Sequence, residues 1–222
     1  MSVRNHDAIR HAVILAHPGE RSFNAAIADA YCDAVRDNGQ VAVQRDLYRL
    51  GFDPVLKEAE LPGRTGHEVP PDVQAELDAL RGCHVFAFIY PIWFGMPPAM
   101  MKGYVDRVIG SGVSARQIRA REGEGLLSGA HLLCITTSGA PEAWLDEQGQ
   151  RDGLRQVSGR YLFHAFAMKS ATTMHIGSIE PGLSERTADL HLRTVREQAR
   201  KLCAKLFAEH HGMTIPTVGD GS

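Results

Sequence analysis

Short apolar runs recur along the chain, and between them apolar residues return at helical spacing. His11–His17 (HAVILAH) is the first such run. Its brevity and its Val and Ile content predict a strand buried on both faces. Ser22–Asn38 follows, with Ala26, Ile27, Ala30, Tyr31 and Ala34 at helical intervals. Ser22 is the expected N-cap, and Asn38-Gly39 is the stop signal. Val41–Leu47 alternates as a second strand, and Gly51–Pro71, with four Pro and three Gly, reads as a long polar connection. Asp72–Arg81 predicts a helix capped by Asp72. Cys83–Tyr90 (CHVFAFIY) is the most strand-like run of the chain. Pro97 or Pro98 opens the next helix, to about Ile109, because proline is tolerated in a first turn. His131–Thr137 and Met168–Ile176 are the fourth and fifth strands, with a helix over Asp152–Ala167 between them. A long helix from Ser184 to about Glu209 carries Leu190, Thr194, Val195, Leu202 and Leu206 on its apolar side.

Strands that alternate with helical segments predict an α/β fold, a doubly wound parallel sheet with helices on both faces. One domain is expected over residues 1–211, with a loose tail at 212–222. Right-handed crossovers gather ligand loops at the carboxyl ends of the strands.

Composition narrows the classes. A chain of 222 residues buries a sizeable core without disulfides. Its 24 Lys and Arg against 26 Asp and Glu leave a net charge of −2, which argues against a nucleic-acid partner. Cys32, Cys83, Cys134 and Cys203 form no C-x-x-C pair and no zinc pattern. They read as reduced core residues of a cytoplasmic protein. Residues 1–10 lack the apolar run of a signal peptide. The uncharged stretch Gly82–Met101 approaches the length of a membrane span. However, Pro91, Gly95, Pro97 and Pro98 fill its second half, so a strand and a loop are expected and no integral membrane segment.

Three strand-end loops carry candidate chemistry. The first, His17 to Asn24, enters a helix N-terminus, where free backbone N–H groups and the dipole favour an anion. Arg21, Ser22 and Asn24 add donors suited to a phosphate; a capped helix start that binds nothing is the bland alternative. The Gly-rich fingerprints G-x-x-x-x-G-K-[ST] and G-x-G-x-x-G are absent from this turn. The second loop, Pro91-Ile92-Trp93-Phe94-Gly95-Met96-Pro97, places Trp and Phe at a strand end. There they can pack on a planar ring or simply plug the sheet. The third, Thr136-Thr137-Ser138-Gly139-Ala140-Pro141, allows close backbone approach and a cradle of N–H dipoles for developing negative charge. A phosphate site, an aromatic lid and a dipole cradle together suit a flavin.

The residues that carry a family resemblance are Ala16-His17-Pro18 with Ser22-Phe23-Asn24; Asp46-Leu47-Tyr48; Phe52-Asp53-Pro54; Pro91 to Pro98; Lys102-Gly103-Tyr104 with Asp106-Arg107-Val108; and Thr136 to Gly139. In this order the chain resembles the flavodoxin-like NAD(P)H:quinone oxidoreductases, the DT-diaphorase group. The resemblance implies a flavodoxin-like five-stranded sheet of order 2-1-3-4-5, a homodimer, and two-electron reduction of a quinone or similar acceptor by NAD(P)H through bound flavin. It implies that His17, Ser22, Phe23, Asn24 and Ala26 hold the phosphate side of the cofactor, beside Arg21. Pro91, Ile92, Trp93 and Phe94 would touch the ring system, and Thr136, Thr137, Ser138 and Gly139 its pyrimidine edge. The S-F-N signature favours FAD, with FMN as the alternative.

Two departures stand out. Where better-known members carry a Tyr and a His that relay protons, spacing places Trp144 and Gln150. Trp donates an N–H without titrating, and Gln takes no proton. The aromatic acceptor-side segment is replaced by Ile109 to Ala115, with Ser and Gly. His191 and Arg193 are candidates near an adenine end. His84, His131 and His175 read as satisfied structural residues, and His210-His211 as a weak metal pair. Arg116, Arg119 and Arg121 suit a charged solvent face or a nicotinamide phosphate. Other readings are azo, nitro, flavin or ferric reduction with the same flavin chemistry, and an ancillary role on a membrane transport system.

Overall fold

The computed structural model describes residues 8–62, 67–120 and 125–212. The four apolar runs and the alternating second strand become five parallel strands: β1 (Arg10–Leu15), β2 (Val41–Asp46), β3 (Val85–Pro91), β4 (His131–Thr137) and β5 (Ser170–Ile176). Their order is β2-β1-β3-β4-β5, as the resemblance implies. Strand direction reverses its progress between β1 and β3, which opens a crevice outside their carboxyl ends. β1, β3 and β4 are central and buried on both faces, which accounts for their unbroken apolar runs.

Period-two alternation divides the core. Ala12, Ile14, Phe86, Phe88, Tyr90, Leu132 and Cys134 face one side, against α2 (Pro71–Leu80), α3 (Ala99–Tyr104) and α7 (Tyr161–Ala165). Val13, Leu15, Ala87, Ile89, Leu133 and Ile135 face the other, against α1 (Phe23–Asp37) and α8 (Glu185–His210). The α1 cap is as expected: Ser22 Oγ accepts from the Ala25 N–H at 3.1 Å, and Asn38 closes the helix.

Four details differ from the sequence expectation. Pro70, rather than Asp72, stands at the N-cap of α2. The Asp72 carboxylate is instead engaged by Arg107, which also donates to Glu60 and to the Asp53 carbonyl. Two helices of six residues each, α4 (Ala115–Ala120) and α5 (Glu142–Glu147), occupy stretches read as loop. The helix expected over Asp152–Ala167 is three pieces: α6 (Gln150–Leu154), a π turn (Arg155–Arg160) and α7. The helix after Pro98 also ends in a π turn, Val105–Ile109.

Among the described residues no helix is long and apolar enough to cross a membrane. All four cysteines are buried and unpaired. Burial pushes the Cys32 and Cys134 thiols up to about 12 and Cys203 to about 11. The tail beyond Gly212, the middle of the polar connection, Arg121, Glu122 and Glu124 lie outside the described residues.

Candidate cofactor site

The three loops meet at the carboxyl edge of the sheet. After β1 the chain turns at Gly19, whose N–H donates to His17 Nδ1 at 2.9 Å. Burial lowers the His17 pKa. The His17 ring lies 5.9 Å from the Trp93 ring, so the first and second loops touch. Ser22 caps Ala25, and the helical pattern supplies no acceptor to the Phe23 and Asn24 N–H groups at the start of α1. Arg21 is exposed beside them, and Ala26 is half-buried. Phe23 meets the His191 ring edge-on at 6.2 Å, which ties the loop to α8.

Asn24 links the first loop to the third. Its side chain is buried, and its Oδ1 accepts from Thr137 Oγ1 at 3.0 Å. Its Nδ2 is buried with no hydrogen-bond partner. A buried amide donor left unmatched costs roughly 1–3 kcal/mol. Such a group at a helix start and a loop junction marks a place where a ligand acceptor fits.

The second loop is a tight turn. Trp93 and Met96 exchange both backbone hydrogen bonds at 3.0 Å, with Phe94 at φ 50° and Gly95 at φ 78° between them. Two consecutive positive φ values define a type I′ turn, which favours Asn-Gly; a Phe in the first place is strained. The Phe94 side chain is fully exposed at the tip of this turn, and Trp93 and Met96 are also exposed. Pro91 is buried at the end of β3, and the Ile92 N–H donates to the Thr137 carbonyl at 2.7 Å. Thus the second loop is also tied to the third.

In the third loop Thr136, Thr137 and Ser138 are buried and Gly139 is exposed. A β-carbon at Gly139 would make only ordinary contacts with Ile179 and Glu180, so the space outside it is open. Thr136 Oγ1 lies 2.8 Å from His175 Nδ1, and Ser138 Oγ lies 3.0 Å from His175 Nε2. Sequence reasoning placed His175 among structural histidines; its position opposite Thr136 follows only from the β4–β5 register.

The two residues assigned to the relay positions fall at the same edge. Gln150 opens α6, and a β-carbon on Gly95 would lie 3.0 Å from its Nε2, so it stands against the aromatic turn. Trp144 is about half exposed on α5, just after the third loop. Arg151 ties the segment together through Glu142 at 2.8 Å and Asp146 at 3.0 Å. Arg116 and Arg119 are exposed on α4. Among the described residues no three His, Cys, Asp or Glu side chains gather as a metal site.

A doubly wound sheet of this order, with its loops joined at the switch point, defines a nucleotide- or flavin-type cleft. The family model for the flavodoxin-like fold matches residues 10–201, and the chain belongs to that family. It is 30% identical over 202 residues to an uncharacterized NAD(P)H oxidoreductase of Haemophilus influenzae, covering 90% of this chain and 93% of that protein. It is 28% identical over 152 residues to NAD(P)H dehydrogenase [quinone] 1 of Rattus norvegicus, covering 60% of this chain and 55% of the relative. The fold superposes on an NAD(P)H:quinone oxidoreductase from Methanothermobacter marburgensis with a TM-score of 0.73 and 23% identity, covering 88% of this chain and 96% of that one.

Proposed function

We propose that the chain is a flavin-dependent NAD(P)H:quinone oxidoreductase of the cytoplasm. The observation that carries this reading is the buried Asn24 side chain, with Oδ1 held by Thr137 and Nδ2 unmatched where the first and third loops meet. The names of the relatives support it. The residues fit a flavin, FAD in the first instance and FMN as the alternative. Phe23 and Asn24 N–H groups, Ser22, Arg21 and the Asn24 amide hold its phosphate side, next to His17 and Ala26. Pro91, Ile92, Trp93 and Phe94 cover the ring, and Thr136 to Gly139 line its polar edge.

When bound, the flavin supplies hydride transfer from NAD(P)H and two-electron delivery to the acceptor. The chain's part is placement and charge. The turn presents Trp93 and Phe94 as exposed apolar surface beside the ring, where donor and acceptor are placed in turn. The Ser138 N–H is taken by the Ile176 carbonyl, so the exposed Gly139 backbone offers its dipole to the edge where negative charge develops. Gln150 Nε2 adds a donor beside the aromatic turn, and Trp144 an indole N–H, so charge is met by hydrogen bonds rather than by a titrating pair.

We also propose a homodimer. An apolar groove of about 560 Å³ runs beside the aromatic turn, lined by Met96, Pro97, Met101, Val157 and Tyr161. Val157 and Tyr161 are exposed, and a second copy laid there would cover both. The test is direct. Purified protein is heated, and the released cofactor is identified. The holoprotein should bleach with NAD(P)H without oxygen and recover colour with a quinone. Protein that carries no flavin and takes up neither FAD nor FMN overturns the assignment. Light scattering on the same sample should give twice the chain mass.

A further inference from the structure

We propose that His175 is a positioning residue for the flavin-facing loop after β4: its ring bridges the Thr136 and Ser138 hydroxyls and sets their direction. The inference rests on the flavoprotein reading above.

The hydrogen bonds have one consistent direction. Ser138 Oγ donates its proton to the Ala140 carbonyl at 2.7 Å. Its remaining bond, 3.0 Å from His175 Nε2, must therefore be accepted from an Nε2–H. His175 Nδ1 is then a lone pair, and it accepts from the Thr136 hydroxyl at 2.8 Å. Of the two neutral tautomers, only Nε2–H satisfies the chain from Thr136 to Ala140. A protonated ring carries a second N–H at Nδ1, so the Thr136 hydroxyl would have to turn away.

The ring is held for this task. His175 pairs with Thr136 in the β4–β5 register. The loops after the two strands are joined by Ser138 N–H to the Ile176 carbonyl, Ile179 N–H to the Ser138 carbonyl and Ser178 N–H to the Ala140 carbonyl. A β-carbon at Gly177 would come within 2.9 Å of the Glu142 backbone N, so the joined loops have no slack. These backbone bonds hold the loop without the ring, which leaves the ring to set the hydroxyls. The ring borders a cavity of about 20 Å³ shared with Tyr90, Ile92 and Thr173, enough for one water. The charged groups around it are Glu142 and Asp146 of α5, Arg151 of α6 and Arg155 of the following turn. Arg151 is already paired with both carboxylates. Burial is the main cause that lowers the His175 pKa, so the neutral ring is the resting form at neutral pH.

The consequence reaches the cofactor. Ser138 and the exposed Gly139 stand at the edge where charge is proposed to develop on the ring system. Protonation of His175 adds a positive charge behind them and reverses one hydroxyl. The test has two arms. In the apoprotein, ring 15N shifts should report the Nε2–H tautomer, with protonation below the ordinary histidine range. The wild type, His175→Gln and His175→Ala are then loaded with FAD or FMN, and flavin affinity and midpoint potential are measured over about pH 5 to 8. The wild type should show a break in potential against pH where the ring titrates. Both variants should lose the break, and His175→Ala should bind flavin about 10-fold more weakly, as expected for one lost hydrogen bond in the loop. His175→Gln, which keeps a donor, should recover affinity but not the break. Should His175→Ala fail to fold, Ser138→Ala removes the same bridge from its other end. An Nδ1–H tautomer, or variants with unchanged affinity and an unchanged break, would overturn the inference. A wild type that takes up no flavin instead marks failure of the flavoprotein reading itself.

Discussion

Asn24→Ala separates the stability of the empty fold from its affinity for a cofactor. In the apoprotein the change removes one buried bond, Thr137 Oγ1 to Asn24 Oδ1, worth about 1 kcal/mol. The truncation also leaves a small void, costing about 1 kcal/mol more. Against this, it removes the buried Nδ2 that has no partner, a group whose burial costs roughly 1–3 kcal/mol. The terms oppose each other and nearly cancel, so the apoprotein Tm should move by no more than about 4 °C. The holoprotein has no such compensation. If Nδ2 donates to an anionic group, the bond is charge-assisted and contributes about 1.5–3 kcal/mol, or about 10- to 150-fold in Kd. Thermal denaturation without flavin and fluorescence titration with FAD give the two numbers. A loss of apoprotein stability above about 3 kcal/mol with unchanged flavin affinity would refute the reasoning. It would mean that the amide is a structural tie and that the ligand does not reach it.

Phe94→Asn should raise apoprotein stability by about 1 kcal/mol, because Asn tolerates the φ of 50° that strains Phe, while slowing flavin reduction through loss of the ring. Differential scanning calorimetry and stopped-flow reduction measure the two effects. Gly103→Ala should destabilise by about 3 kcal/mol, since its β-carbon would run into the Pro54 carbonyl and exceed the gain of about 1 kcal/mol in helix propensity; denaturant unfolding reads the difference. His11 is buried and held neutral, its pKa lowered from 6.5 to about 4, chiefly by burial. The unfolded chain therefore binds more protons in that window. Stability should fall by about 3 kcal/mol as pH drops from 6.5 to about 4, and His11→Gln should flatten the slope in urea midpoints.

The sheet was legible because β1, β3 and β4 are buried on both faces, so their apolar runs are continuous. His131–Thr137 agrees residue for residue with β4. The Ser22 cap and the Asn38 stop were legible for a local reason: both signals act within one turn. What was not legible is short or non-local. Neither α4 nor α5 spans two helical turns, too little for a period to register. Asp72 carries a cap's chemistry, but Pro70 and Pro71 set the start of the helix, and Arg107 claims the carboxylate from 35 residues away. The loops of the site could be selected from the strand ends. Their ties could not, because the Asn24–Thr137 and Thr136–His175 bonds cross 113 and 39 residues and depend on register.

Register also explains why the third loop can serve a ligand at all. Side chains alternate along β4, so Thr137 points toward α1 with Leu133 and Ile135, while Thr136 and Ser138 point away with Leu132 and Cys134. The strand end is therefore braced on one face by Asn24 and on the other by His175. Each brace occupies hydroxyls and leaves the Gly139 backbone exposed. A slip of one residue would turn Thr137 toward His175 and Thr136 toward Asn24, and both braces would lose their partners. Seven consecutive β4–β5 pairs, from His131 with Ser170 to Thr137 with Ile176, oppose that slip. The strands that build the core thus also aim the loop, and a substitution that weakens the β5 edge should be felt first in flavin affinity and only later in folding.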